Sequence, residues 1–183
     1  MNIKKIVVAL LIICMCLGMK QYVYAETFVI AGVETILDIE VPLDGIKFNI
    51  GADREVTSQD NIIKNNSAVD IDVVVTNIEK TGSEPDLIEA NTYTDEEWKN
   101  LSKEDTLSKL SLSFNEKEIY KAFNNTEKLE ANYVNIGTVP SLGELNIETT
   151  GKCGKYFGNT EDMSLNYVMY MEFMINETEQ IDE

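Results

Sequence analysis

The sequence predicts an all-β protein: an antiparallel two-sheet Ig-like β-sandwich with one short helix inserted. Apolar residues recur with a period of two along several segments, which is the periodicity of a strand with one buried face. Clusters of Gly, Pro, Asn and Asp separate roughly seven or eight such segments, the spacing expected of a sandwich, with a closed barrel as the alternative topology. No internal disulfide is available to a chain of this size, so a packed core must hold it together.

Residues 1–25 read as a signal peptide. Lys4 and Lys5 form a short positive region, Ile6 to Leu17 is an unbroken apolar run, and Val23-Tyr24-Ala25 supplies a small-x-Ala cleavage pattern. The run is shorter than the roughly 20 apolar residues that span a bilayer. Lys20 interrupts its extension through Met19, Tyr22 and Val23, which disfavours an uncleaved anchor. Cys14 and Cys16 follow Ile13 and Met15, where a lipid-attachment signal needs a small residue. The domain plan is therefore 1–25 signal peptide, 26–176 β-sandwich, and 177–183 an acidic polar tail.

The strands follow in order. In Val33 to Val41, Val33, Leu37, Ile39 and Val41 share one face, and Glu34, Asp38 and Glu40 the other. Pro42 to Gly45 reads as a turn, and Ile46 to Ile50 alternates again. A polar loop from Gly51 to Asp60 leads to Asn61–Lys64, and Asn65-Asn66-Ser67 makes the next turn. Val69, Ile71, Val73 and Val75 then share a face, but Val74, Thr76 and Ile78 also point together, which predicts a β-bulge near Val74. Thr94-Asp95-Glu96-Glu97 fits a capping box and predicts a short helix from Asp95 to Leu101, with Trp98 and Leu101 inward. Leu110, Leu112 and Phe114 return to strand, whereas Glu116 to Phe123 fits either a hairpin arm or helical turns. Tyr133-Val134 and Leu145 to Ile147 read as strands, and Met163 to Ile175 as the longest one. Because Val168, Tyr170 and Met174 oppose Tyr167, Met169, Met171 and Phe173, this last strand is expected to be central and covered on both sides for part of its length. The expected core comprises Leu37, Ile39, Val41, Phe48, Ile71, Val73, Leu112, Tyr167, Met169 and Phe173.

Composition narrows the function. The net charge is −17, and removal of the lysine-bearing signal makes the remainder more acidic still. Such a balance disfavours nucleic acid and anionic membranes, and predicts no stable membrane insertion after cleavage. Two of the three cysteines lie in the signal, leaving Cys153 alone, a habit typical of Gram-positive exported domains. Sequons at Asn65, Asn100, Asn124 and Asn176 are what an Asn-rich chain produces by chance.

The stretches "ETILDIEVPLDGIKFNI", "NNSAVDIDVVVTNIEKTG" and "LGELNIETTGKCGK", closed by a long strand, resemble uncharacterised secreted Firmicute surface proteins with an Ig-like β-sandwich. These are similar in organisation to WxL-type and camelysin-type surface proteins. The resemblance implies a location at the cell surface and a sandwich fold. The chain departs from the WxL pattern in having a single tryptophan, Trp98, and no paired Trp-x-Leu signature. With no sorting motif or C-terminal hydrophobic anchor, surface attachment is expected to be non-covalent or through another protein.

No catalytic, cofactor-binding or metal site is assigned. The chain has no histidine, which excludes Ser-His-Asp and Cys-His catalysis, His-ligated zinc and the HExxH site. Cys153 lies between Lys152 and Lys155 but reads as an ordinary turn cysteine. Gly151, Gly154 and Gly158 lack the spacing of a phosphate loop. Carboxylate pairs such as Asp70/Asp72 and Glu34/Asp38 could meet the separation of a glycosidase, yet they fit the solvent face of a strand. No cofactor is expected; calcium at the acidic loops Asp53–Asp60 and Asp86–Asp95 is the one weak candidate, and neither loop matches an EF-hand. Trp98 reads as a core residue rather than an exposed carbohydrate platform.

The expected protein is therefore secreted or surface-associated and non-enzymatic, with a structural, adhesive or assembly role and other cell-surface or cell-wall components as partners. A carbohydrate- or host-ligand-binding module is the alternative, and a carboxylate-pair hydrolase the third. Cleavage is predicted between Ala25 and Glu26: N-terminal sequencing of protein from the medium or the cell surface should begin at Glu26. Recovery of full-length, membrane-extracted chain alone would contradict it.

Overall fold

A computed structural model of the chain describes residues 37–43, 45–51, 53–157 and 165–176. The expected signal peptide at 1–25, the Val33–Ile36 part of the first expected strand, Met163 and the expected 177–183 tail lie outside the described residues. Among the described residues the protein is mostly β, with twelve strands in several sheets and two short α-helices.

The first strands are short. β1 (Ile39–Glu40) pairs with β4 (Ile62–Asn65), whose other neighbour is β10 (Glu144–Asn146). The Pro42–Gly45 turn closes with Gly45 N–H donating to the Pro42 carbonyl at 3.0 Å. β2 (Phe48–Ile50) pairs with β3 (Val56–Ser58), so the loop expected over Gly51–Asp60 contains a strand. Gly51 N–H donates to Glu55 O and Arg54 N–H to Gly51 O, folding the hairpin tightly enough to leave β3 only three residues.

β5 (Ile71–Lys80) is the spine of the molecule. It pairs on one side with β9 (Val134–Val139) and on the other with β12 (Tyr167–Ile175), both antiparallel. From Val73 to Ile78 every residue is buried, so both faces of this strand are covered. The bulge expected near Val74 is present: Tyr170 aligns with Asn77 and Met171 with Val75, leaving Thr76 as the extra residue. The shift turns Ile78 onto the face that Ile71, Val73 and Val75 share.

After β6 (Asp86–Leu87) come α1 (Asp95–Asn100) and α2 (Lys103–Ser108). Thr94 accepts from Glu97 N–H at 3.3 Å, and Glu97 accepts from Thr94 N–H at 2.8 Å, completing the expected capping box. Trp98 and Leu101 are buried as expected. The second helix was not expected; Ser102 starts it by accepting from Asp105 N–H at 3.0 Å. β7 (Lys109–Phe114) then lies parallel to β6, a departure from an all-antiparallel arrangement. It pairs antiparallel with β8 (Lys117–Glu118) and β11 (Thr149–Lys152). Asn115 and Glu116 join β7 to β8 with φ of 46° and 65°, the two left-handed residues of a tight hairpin turn. Glu116 to Phe123 thus divides into a hairpin arm and a 3-10 turn at Tyr120–Ala122.

Two expectations about exposure are corrected. Val41 is 43 % exposed, because β1 ends at Glu40 and the chain turns away at Pro42. The closing strand is an edge: among the described residues β12 pairs with β5 alone. Val168, Tyr170 and Met174 therefore face outward and exposed, while Tyr167, Met169, Met171 and Phe173 pack half-buried on the core. Of the other core expectations, Ile71, Val73 and Leu112 are buried, and Leu37, Ile39 and Phe48 are half-buried.

Four asparagines join these elements. Asn61 accepts from Lys47 N–H at 2.7 Å and donates to Lys47 O at 2.8 Å, pairing with that backbone as a strand would. Asn65 donates to the carbonyls of Val69 (2.7 Å) and Pro140 (3.0 Å) and accepts from Ser67 N–H. Asn125 donates to Thr76 O and Leu129 O, and Asn115 bridges Glu148 N–H and Ile136 O. Asn61 and Asn65 are each 1 % exposed, so each truncation removes hydrogen bonds made by a buried side chain and leaves a gap behind it. Asn61→Ala and Asn65→Ala should each cost about 1–3 kcal/mol. Urea titration should show a lower midpoint at unchanged slope, and no loss in either variant would contradict this account.

Candidate functional site

The chemistry-bearing residues singled out from the sequence do not converge. Cys153 follows β11 and is buried in the core, its Sγ 3.7 Å from the Arg54 carbonyl oxygen. Lys152 does not activate it, since its Nζ donates to Asp95 Oδ1 at 2.7 Å. Burial pushes the Cys153 thiol up to about 11, with Arg54 opposing only in part. The two glycines around it serve packing. A Cβ at Gly151 would lie 2.2 Å from the Ser111 carbonyl oxygen, and one at Gly154 2.1 Å from Thr106 Oγ1. These glycines let β11 and the following turn press against β7 and α2.

The carboxylates have structural partners. Asp72 accepts from Thr138 Oγ1 at 2.5 Å and from Asn176 Nδ2 at 3.1 Å, and Asp70 from Ser141 N–H at 2.7 Å. Asp38 is exposed, and its proposed partner Glu34 lies outside the described residues. In the acidic loops, Asp53 caps the Glu55 N–H, Asp86 pairs with Lys80, and Asp95 with Lys152. Among the described residues no group of three acidic or cysteine side chains is placed to hold a metal ion. Glu89, Glu116 and Glu118 border an open depression of ≈ 640 Å³ between β8 and β9, where Glu118 accepts from Ala90 N–H at 3.4 Å. Burial, then the charges of Glu89 and Glu118, hold the Tyr120 hydroxyl above its ordinary range. Trp98 is 2 % exposed, with its indole N–H donating to Ala90 O at 3.0 Å and Tyr93 edge-on at 5.3 Å. It offers no platform to a sugar.

The feature that stands out is the outer edge of β12, which pairs with no strand among the described residues. Asn176 N–H donates to Asp70 O and extends the β12–β5 ladder, and the Tyr170 carbonyl accepts from Thr76 Oγ1. Antiparallel pairing alternates, so Val168, Tyr170, Glu172 and Met174 direct their backbone groups toward β5. Tyr167, Met169, Met171, Phe173 and Ile175 direct theirs outward, where among the described residues no strand meets them. Edge strands are ordinarily guarded by Lys, Pro or brevity. This one is nine residues long with a single charge, Glu172.

A groove of ≈ 280 Å³ lies under the same strand, between Met169 and Met171 on one side and Val41, Ile46 and Phe48 on the other. Its lining is mostly apolar, with Asn166 among the polar groups, and its half-buried methionines show that the layer beneath β12 is incompletely covered. Tyr167 anchors the start of the strand by donating its hydroxyl to Pro85 O at 2.8 Å, and burial raises its pKa well above the usual range for a tyrosine. Sequence reasoning missed this edge because alternation names a strand's faces but not its neighbours.

Comparison with protein families, curated proteins and solved structures finds no match to this chain. No helix among the described residues is long and apolar enough to cross a membrane.

The buried thiol makes a clear pH prediction. A group whose folded pKa is raised contributes stability that is full below its unfolded value and is lost as pH rises through the folded one. Wild-type protein should therefore lose stability relative to Cys153→Ala as pH climbs from 9.0 toward about 11. Thiol labelling of native protein at pH 8 should be slow and become fast in denaturant. Immediate labelling of native Cys153, or parallel stability curves for the two proteins, would contradict a buried protonated thiol.

Proposed function

We propose that this chain is a secreted or cell-surface, non-enzymatic β-sandwich that acts by binding or assembly. The observation that carries the reading is the open β12 edge, with Val168, Tyr170 and Met174 exposed beside it. A long apolar edge presents main-chain donors and acceptors to another strand, and side-chain contacts on either face then select the partner. The Ig-like arrangement belongs to this proposal: sheets β12-β5-β9 and β11-β7-β6 would form the two layers around Val73, Val75, Leu110 and Leu112. Export through the signal at 1–25 places the domain where other surface components are its partners.

The occupied carboxylates, the raised Cys153 thiol and the absence of histidine from the sequence all argue against catalysis as its role. Burial of Trp98 weakens the carbohydrate-binding alternative. Fractionation of producing cells should find the protein in the wall or medium, and the purified protein should turn over no glycan, peptide or ester substrate. Turnover abolished by Asp70→Asn/Asp72→Asn, with no wall or partner association, would replace this reading with a hydrolase.

A further inference from the structure

We infer that Met169 and Met171 form an oxidation site: a peroxide entering the groove beneath β12 converts their thioethers to sulfoxides and loosens β12 from the core. The inference goes beyond the assembly reading and does not depend on it.

Four side chains among the described residues carry sulfur, and the fold treats them differently. Cys153 is 2 % exposed in the core, which keeps oxidants from its thiol. Met174 is 45 % exposed on the outer face of β12, opposite Asp72 of β5. Met169 and Met171 lie between these extremes. They are half-buried, pack against the core, and line the ≈ 280 Å³ groove together with Phe48, Ile78 and Leu112. A molecule little larger than water fits such a space, since about 10–15 Å³ suffices for one water. Hydrogen peroxide is also uncharged, so the net charge of −17 does not repel it.

The reaction needs nothing from the protein beyond access. A thiol reacts as its thiolate, but a thioether needs no deprotonation. The sulfur attacks one peroxide oxygen, an S–O bond forms and the O–O bond breaks. The sulfur is oxidised by two electrons, and the departing hydroxide takes the remaining proton and leaves as water.

The consequence depends on position. On Met174 the new S=O dipole faces solvent. On Met169 or Met171 it enters a wall where, among the described lining side chains, only Asn166 and Tyr167 carry hydrogen-bonding groups. The Tyr167 hydroxyl is already donated to Pro85 O at 2.8 Å. A polar group without a partner in apolar surroundings is destabilising. Met169 pairs with Ile78 and Met171 with Val75, on either side of the bulge, where the ladder is already interrupted. Oxidation there strikes β12 at its weakest attachment to β5.

The test treats protein recovered from producing cells with graded hydrogen peroxide. Peptide mapping by mass spectrometry reads each methionine, and thermal melting reads stability. Met174 should oxidise first, with the melting temperature unchanged. Met169 and Met171 should follow while the protein is still folded by circular dichroism, and the melting temperature should then fall by about 5 °C or more. Methionine sulfoxide reductases should restore it. Met169→Leu/Met171→Leu conserves volume and should fold, and its melting temperature should resist the same treatment. Met174→Leu should remain as sensitive as wild type.

Met169 and Met171 staying reduced until the protein unfolds would overturn the inference. So would their oxidation without a fall in melting temperature, or an equal fall in Met169→Leu/Met171→Leu. Oxidation of Cys153 ahead of the methionines in folded protein would overturn the order of access. A protein that finds no partner yet melts earlier after peroxide would sink the assembly reading and leave this site standing.

Discussion

Every buried backbone N–H and C=O must find a partner, and this architecture makes that demand hard to meet. Its strands are short and fall into several separate sheets, so regular ladders end often and leave peptide groups at their ends. Asparagine resolves the problem, because one side chain carries both a donor and an acceptor in the geometry of a peptide. Asn61 ties the start of β4 to the residue before β2, and Asn65 ties its end to the approach to β5 and to the turn after β9. Asn125 closes the loop between β8 and β9 onto the bulged part of β5. In a domain whose only described cysteine is unpaired, these side chains tie distant segments together as disulfides do elsewhere.

The same constraint explains why β5 is central. From Ile71 to Val75 the strand is paired on both edges, and from Val73 to Ile78 it is buried, so it engages backbone groups and covers apolar side chains at once. Its bulge at Thr76 is the local cost of that position, and the Thr76 carbonyl and hydroxyl are both engaged, by Asn125 and Tyr170. Satisfaction decreases outward from β5. On β12 the inner backbone groups are paired, the outer ones meet no strand among the described residues, and the inward side chains are only half-buried. The gradient runs from a spine paired on both edges to a rim that meets no strand among the described residues.

The sequence alone identified the alternating segments, a frame change near Val74, and the helix beginning at Asp95 with Trp98 and Leu101 inward. These are decided by contacts a few residues apart: the pleat alternates side chains, and a capping box closes within one turn. The hairpin inside Gly51–Asp60 and the helix starting at Ser102 escaped it. Their apolar content, Val56 in one and Leu107 in the other, is too small to mark a period.

What only the tertiary structure decided is adjacency. Period two assigns each β12 residue to a face, and the faces were read correctly, with Tyr167, Met169, Met171 and Phe173 inward. It cannot say how many neighbours a strand has, so apolar residues on both faces suggested a central strand where the fold has an edge. The asparagines were unreadable for the same reason, since Asn61 and Lys47 are fourteen residues apart and Asn65 and Pro140 seventy-five. Local sequence carries the strand, its frame and its caps. Pairing between distant segments depends on which combination buries the most apolar surface with the fewest unsatisfied peptide groups, and that is a property of the whole chain.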